Sequence, residues 1–226
     1  MNGTIAEFDS DLLEKKSNEI GRYNTFFSLE KYFKIFGTNV SFNFIGSDIE
    51  LWRKEFTADI AKIEVWNEEI VLVATHGNYI TTILALKAET GEVIWEKPNM
   101  SLGLQIQGDF VYSFTTFAFS CINVITGNIE YSYNLMEKFT ENNFDEVTNM
   151  TISGEYVYFS GIHDTVISMW ELATGNLVWH YRLYPKENVG RDTDKMFIAA
   201  GEAPKVVGNR LYQLDGSKTL HIFERE

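Results

Sequence analysis

The sequence predicts an all-β chain built from about five related units, and three observations predict it. The first is composition: 17 Phe, 11 Tyr and 5 Trp stand among 226 residues, an aromatic enrichment that favours pleated, half-buried surfaces over helices. The second is the alternation of apolar and polar residues in short runs bounded by Gly, Asn and Thr, the period-two pattern of strands with one buried face. The third is repetition at a spacing of roughly 40 residues.

Repetition is plainest in three hairpins. "ILALKAETGEVIWEKP" (83–98), "CINVITGNIEYSYNL" (121–135) and "ISMWELATGNLVWHYRL" (167–183) each hold an alternating run, a Thr-Gly turn and a second alternating run. The turns are Thr90-Gly91, Thr126-Gly127 and Thr174-Gly175, and an aromatic follows each glycine by four residues: Trp95, Tyr131 and Trp179. Glycine at a fixed turn position supplies the positive φ that a tight hairpin needs.

A second phrase precedes these hairpins and recurs at the end of the chain: "NEEIVLVA" (67–74), "GDFVYSF" (108–114), "GEYVYFSG" (154–161) and "GNRLYQLDG" (208–216). In each, a turn leads into a strongly β-forming run. "GTNVSFNFIGSDIELWRKEF" (37–56) matches the pattern of "GNRLYQLDGSKTLHIFERE" (208–226). The units therefore start near 37, 67, 108, 154 and 208. Their lengthening spacing marks insertions at "MEKFTENNFDEVTN" (136–149) and "YPKENVGRDTDKMF" (184–197). Repeats of this length with about four strands each are the signature of propeller blades. The predicted architecture is a small or incomplete β-propeller over 37–226. Residues 1–36 lack the repeat; a cap at Asp9 or Ser10 and apolar Leu12, Leu13 and Ile20 predict a short amphipathic helix or an extended arm there.

The phrase I/L-x-A-L-x-A-x-T-G-E-V-x-W at 83–95 resembles the blade repeat of the pyrroloquinoline-quinone (PQQ) type propellers, and the stretch 166–179 is similar to it. At 119–131 the resemblance is weaker, because Tyr131 replaces the Trp. The resemblance implies that Trp95 and Trp179 lock adjacent blades by packing. It implies a fold rather than an activity, since the family includes dehydrogenases, assembly scaffolds and proteins with no known catalysis. Its full members have seven or eight blades, and this chain has room for about five. Its catalytic members hold the quinone beneath a vicinal disulfide. This chain has a single cysteine, Cys121, so no quinone or other cofactor is expected.

No catalytic constellation emerges from the residues. Cys121 lies within the strand-like run "AFSCINVI" and reads as an inert buried thiol. The four histidines, His76, His163, His180 and His221, have no metal-ligand spacing, and "GRDTDK" (190–195) lacks the Gly and Glu of a calcium loop. No metal is expected. There is no G-x-S-x-G elbow, and the T-G-N turns belong to hairpins rather than to a phosphate loop before a helix.

Charge narrows the partner. With 19 basic against 32 acidic side chains the formal net charge is −13; that field repels nucleic acid and anionic membrane surfaces and steers in a basic protein. One cysteine fits a reducing compartment, and the N-terminus shows neither the basic nor the apolar region of a secretory signal, so a cytoplasmic location is expected. The insertion 136–149 offers a candidate partner-binding patch: Glu137, Glu141, Asp145 and Glu146 as carboxylates, with Phe139 and Phe144 as aromatic anchors. The functional expectation is a non-enzymatic protein-binding module, most sharply an immunity protein that neutralises a basic toxin, such as a nuclease. A degenerate quinoprotein-like or carbohydrate-active enzyme is the first alternative. A structural scaffold of a larger assembly, docked through an exposed sheet edge, is the second.

Overall fold

Among the described residues the chain forms five antiparallel meanders, each with its strands paired in sequence order. The computed structural model describes residues 24–26, 31–44, 49–77, 80–100, 103–115, 117–142, 144, 149–161, 165–183, 203–215 and 218–224. The helix or arm expected near residues 9–20 lies outside them. The chain divides into two compact units, Met1–Pro98 and Asn99–Glu226.

The first unit holds two four-stranded sheets. Sheet one is β1 (Asn24–Phe26), β2 (Lys31–Phe36), β3 (Asn39–Phe44) and β4 (Glu50–Glu55). Sheet two is β5 (Asp59–Trp66), β6 (Ile70–Gly77), β7 (Ile80–Lys87) and β8 (Val93–Pro98). The expected boundary at 36/37 is corrected: it falls in the hairpin between β2 and β3, whose register pairs Phe36 with Asn39 and Phe33 with Phe42. The reason is burial. Phe33 faces the core with Phe42, its ring stacked 4.6 Å away, and both pack with Val71, Val73 and Leu86 of sheet two.

The second unit holds three sheets. Sheet three comprises β9 (Gly103–Gln107), β10 (Phe110–Phe114), β11 (Ala118–Asn123) and β12 (Ile129–Asn134). Sheet four comprises β13 (Asn149–Ser153), β14 (Tyr156–Ser160), β15 (Val166–Glu171) and β16 (Leu177–Arg182). Sheet five has β17 (Lys205–Val207), β18 (Arg210–Leu214) and β19 (Leu220–Glu224). One aromatic core joins sheets three and four through Phe114, Phe119, Phe159 and Trp170. A smaller cluster joins sheets four and five through Tyr158, Ile167, Met169 and Leu211.

The first strands of these three sheets are also tied by polar bonds. The Gln105 side chain donates to the Ile152 carbonyl at 3.2 Å and accepts from the Ile152 N–H at 2.8 Å. Gln107 donates to the Gly154 carbonyl at 2.9 Å, and the Thr151 hydroxyl donates to the Pro204 carbonyl. Amide side chains satisfy backbone groups that would otherwise lie half-buried without partners.

The repeat's turn chemistry explains the meanders. Every predicted unit start has positive φ: Gly37, Asn67 with Glu68, Gly108, Gly154 and Gly208. The three Thr-Gly turns do as well, at Gly91 (69°), Gly127 (70°) and Gly175 (65°). At two of these, glycine is required for space too. A Cβ on Gly91 would stand 2.8 Å from the Trp52 ring, and one on Gly175 would stand 2.6 Å from Tyr133. In both cases the last strand of one sheet lays an aromatic over the Thr-Gly turn of the next. Trp52 adds a 2.7 Å hydrogen bond from its Nε1 to the Ala88 carbonyl.

Candidate functional site

The 136–149 insertion folds in part as a helix, α1 (Leu135–Glu141), directly after β12. Asn134 caps it, its side-chain oxygen accepting from the Glu137 N–H at 3.1 Å, the role for which Asn is favoured at this position. Asn142 closes the other end through its side-chain bond to the Lys138 carbonyl at 2.8 Å. One face is apolar and buried, carrying Leu135 and Phe139. Glu137 and Glu141 lie one turn apart and are exposed, as is Met136.

This geometry corrects the expected roles of the two phenylalanines. Phe139 and Phe144 are buried in the core that joins sheets three and four. Phe139 meets Phe159 and Trp170 edge-on, at centroid distances of 5.7 and 5.4 Å. Phe144 meets Trp170 edge-on at 5.9 Å and His180 at 5.2 Å. Edge-to-face rings at these distances gain stability beyond the area they bury, so the rings fold inward and fasten the helix. They are not exposed anchors. Asp145 and Glu146 lie outside the described residues, so of the predicted site the helix presents Glu137 and Glu141. A carboxylate in the first turn favours the helix dipole and one in the last turn opposes it. Glu137 therefore serves the helix, whereas Glu141 stands at a position that helix stability does not select.

The nucleophile and metal candidates have structural surroundings. Cys121 is buried between the side chains of Tyr112 and Tyr131, and burial pushes its thiol up. Burial likewise raises Tyr112 to about 12 and pushes Tyr131 and Tyr133 up. A thiol held protonated in this way is a poor nucleophile. His221 bonds to the buried Asp215 carboxylate at 2.8 Å, and His163 lies outside the described residues. Among the described residues no group of three or more His, Cys, Asp or Glu side chains could hold a metal ion, and no helix is long and apolar enough to cross a membrane.

Of the predicted blade-locking tryptophans, Trp95 is buried. Trp179 packs edge-on against Phe223 of sheet five at 5.2 Å. Two further aromatics with this task, Trp52 and Tyr133, escape a search keyed to Thr-Gly turns. Trp52 has no such turn before it, although "LWRKE" follows the alternation of "IWEKP". Tyr133 stands two residues beyond the expected position.

Repeated meanders with turns and edge aromatics of this kind define a β-propeller-class protein made of PQQ-type blades. The family model described as outer membrane protein assembly factor BamB matches residues 46–218, and the chain belongs to that family. Among solved structures it is similar to BamB from Moraxella catarrhalis, at 19% identity and a TM-score of 0.63, covering 87% of this chain and 59% of that one. It is also similar to the computationally designed Ika4 protein, at 15% identity and a TM-score of 0.55, covering 76% of this chain and 94% of that one. A third likeness is to Hsv2 from a Kluyveromyces yeast, K. marxianus, at 13% identity and a TM-score of 0.63, covering 86% of this chain and 56% of that one. The chain thus spans little more than half the length of the natural structures it matches. No curated protein matches it.

Proposed function

We propose that the protein is a non-enzymatic protein-binding module of the cytoplasm that neutralises a basic partner, as an immunity protein neutralises a nuclease toxin. The net charge of −13 carries this reading. A nuclease must attract phosphate and is basic for that reason, and an acidic inhibitor meets such a surface with steered, fast association. The capped helix α1 gives the charge a rigid platform, since its buried face fixes Glu137 and Glu141 outward. The test is affinity capture from native cells at low and high salt, with a Glu137→Gln/Glu141→Gln double variant beside the parent. One stoichiometric basic partner is expected, bound about tenfold more weakly by the double variant at low salt and with a shallower salt dependence. An acidic partner, or an affinity indifferent to salt, refutes it.

A second reading has its own support. The matching family is described as an assembly factor, and among the described residues sheet five has three strands where the other four sheets have four. A scaffold that docks within a larger assembly would use such an edge.

A further inference from the structure

Phe117 is the most exposed large apolar side chain among the described residues, at 64%. It stands in the turn between β10 and β11, where local chemistry favours Gly, Asn, Asp or Ser. The ring does nothing for that turn. Thr115 makes it, its hydroxyl accepting from the Phe117 and Ala118 N–H groups at 3.2 and 3.1 Å and its own N–H donating to the Ala118 carbonyl at 2.8 Å. These bonds hold the Phe117 backbone in place, so fixing the ring in a contact costs side-chain freedom alone.

The strand ladder sets this turn beside α1. Ala118 pairs with Asn134, the cap of the helix, and one step further the Leu135 N–H donates to the Phe117 carbonyl at 2.9 Å. Met136 follows directly and is 51% exposed. Glu137, Thr140 and Glu141 continue the exposed surface of the helix. The Thr140 hydroxyl proton is already engaged by the Met136 carbonyl at 2.7 Å. The ion pairs of the described residues involve neither Glu137 nor Glu141. An aromatic ring and a thioether thus stand on adjoining segments, bordered by two carboxylates.

That combination selects its occupant. A wholly apolar partner would leave Glu137 beside a desolvated contact with no counter-charge, which is costly. A second copy docked patch to patch about a twofold axis would bring the same carboxylates face to face, on molecules of net charge −13 each. An arginine answers every feature. Its guanidinium stacks on an aromatic face, its methylene stem lies along apolar surface, and its fork pairs with a carboxylate. Lysine, a compact and strongly hydrated charge, matches the carboxylate but not the ring.

We infer that Phe117 and Met136 are the apolar anchor of the partner-binding surface, and that they take an arginine-bearing segment of another protein. The arginine lies on the Phe117 ring and its guanidinium reaches the carboxylate of Glu137 in the adjoining first turn of α1. This inference rests on the reading of the chain as a binder of a basic protein and deepens it. Net charge steers the encounter, and a desolvated aromatic–arginine contact holds the complex. The surface role expected for Phe139 and Phe144 falls to Phe117.

The first test uses the full chain with isotope-labelled methionine methyl groups, the Met136 signal being assigned through Met136→Leu, and the capped peptide Leu-Arg-Leu as probe. Millimolar Leu-Arg-Leu should shift the Met136 signal, and Leu-Gln-Leu should shift it about fivefold less or weaker still, for want of a cation over the ring. Phe117→Ser should remove the shift with the melting curve unchanged, since an exposed side chain outside core and caps tolerates replacement. Phe117→Leu, which stays apolar but loses the aromatic face, should weaken the response to Leu-Arg-Leu and serves as the second variant. No shift at millimolar peptide, an equal response to Leu-Gln-Leu, or a shift that persists in Phe117→Ser overturns the inference. So does concentration-dependent dimerisation that Phe117→Ser dissolves, for that puts a second copy on the patch.

The second test separates this inference from the proposed function. In capture from native cells, Phe117→Ser should lose the partner at high salt, where steering is screened. Salt-sensitive capture of a basic partner that is indifferent to Phe117→Ser overturns the anchor and leaves the proposed function standing. An acidic partner whose capture requires Phe117, with the Leu-Arg-Leu response intact, refutes the proposed function and supports the anchor.

Discussion

Truncating Phe139 separates packing from binding in the helical insertion. The side chain is buried and meets two aromatic rings edge-on, Phe159 at 5.7 Å and Trp170 at 5.4 Å, with Leu135 beside it on the same helix face. Phe139→Ala removes a buried ring, at a cost of about 3–5 kcal/mol, within which each lost edge-to-face pair accounts for roughly 0.5–1.5 kcal/mol. The upper part of the range is expected, because a seven-residue helix has little stability of its own and depends on this anchor. Urea unfolding followed by circular dichroism measures the loss. At a slope of about 1.5 kcal/mol/M, a loss of about 4.5 kcal/mol lowers the midpoint by about 3 M. Glu137→Gln and Glu141→Gln, on the exposed face of the same helix, should stay within about 0.5 kcal/mol of the parent. A Phe139→Ala loss under about 1 kcal/mol would refute the packing argument and return the ring to the surface as an anchor for a partner.

Further outcomes follow from the turns and the phenols. Gly91→Ala should cost clearly more than Gly208→Ala in thermal unfolding: both have positive φ, but a Cβ at 91 meets Trp52 at 2.8 Å while one at 208 meets nothing within 4 Å. Equal losses would show that the Trp52 contact yields freely. Tyr112, raised to about 12, and Tyr131 and Tyr133, also pushed up, keep their protons in the fold after the unfolded chain releases them near pH 10. The folded state then binds more protons, so stability is flat below about pH 10 and falls as pH rises toward 12. Phenolate absorbance should leave these tyrosines unionised at pH 11 while the fold persists, and full ionisation in folded protein at that pH would contradict their burial.

The sequence carried the repeat because the repeat depends on local chemistry. Positive φ at 37, 67, 108, 154 and 208 follows from turn residues that can be read one at a time, and so do the three Thr-Gly turns. What was not legible depends on partners remote in the chain. Nothing local distinguishes Trp52 from any strand tryptophan until Gly91 and the Ala88 carbonyl lie beneath it. Phe139 and Phe144 resemble exposed anchors in an acidic loop because Phe159 and Trp170, which bury them, lie up to 31 positions further on. Strand β2 was assigned to an arm for the same reason, since "KYFKIF" becomes a strand by pairing with β3. The candidate site divides along this line. The sign of its charge is a sum over the sequence and could be read there, whereas the choice between a carboxylate platform and an aromatic patch is made by tertiary packing.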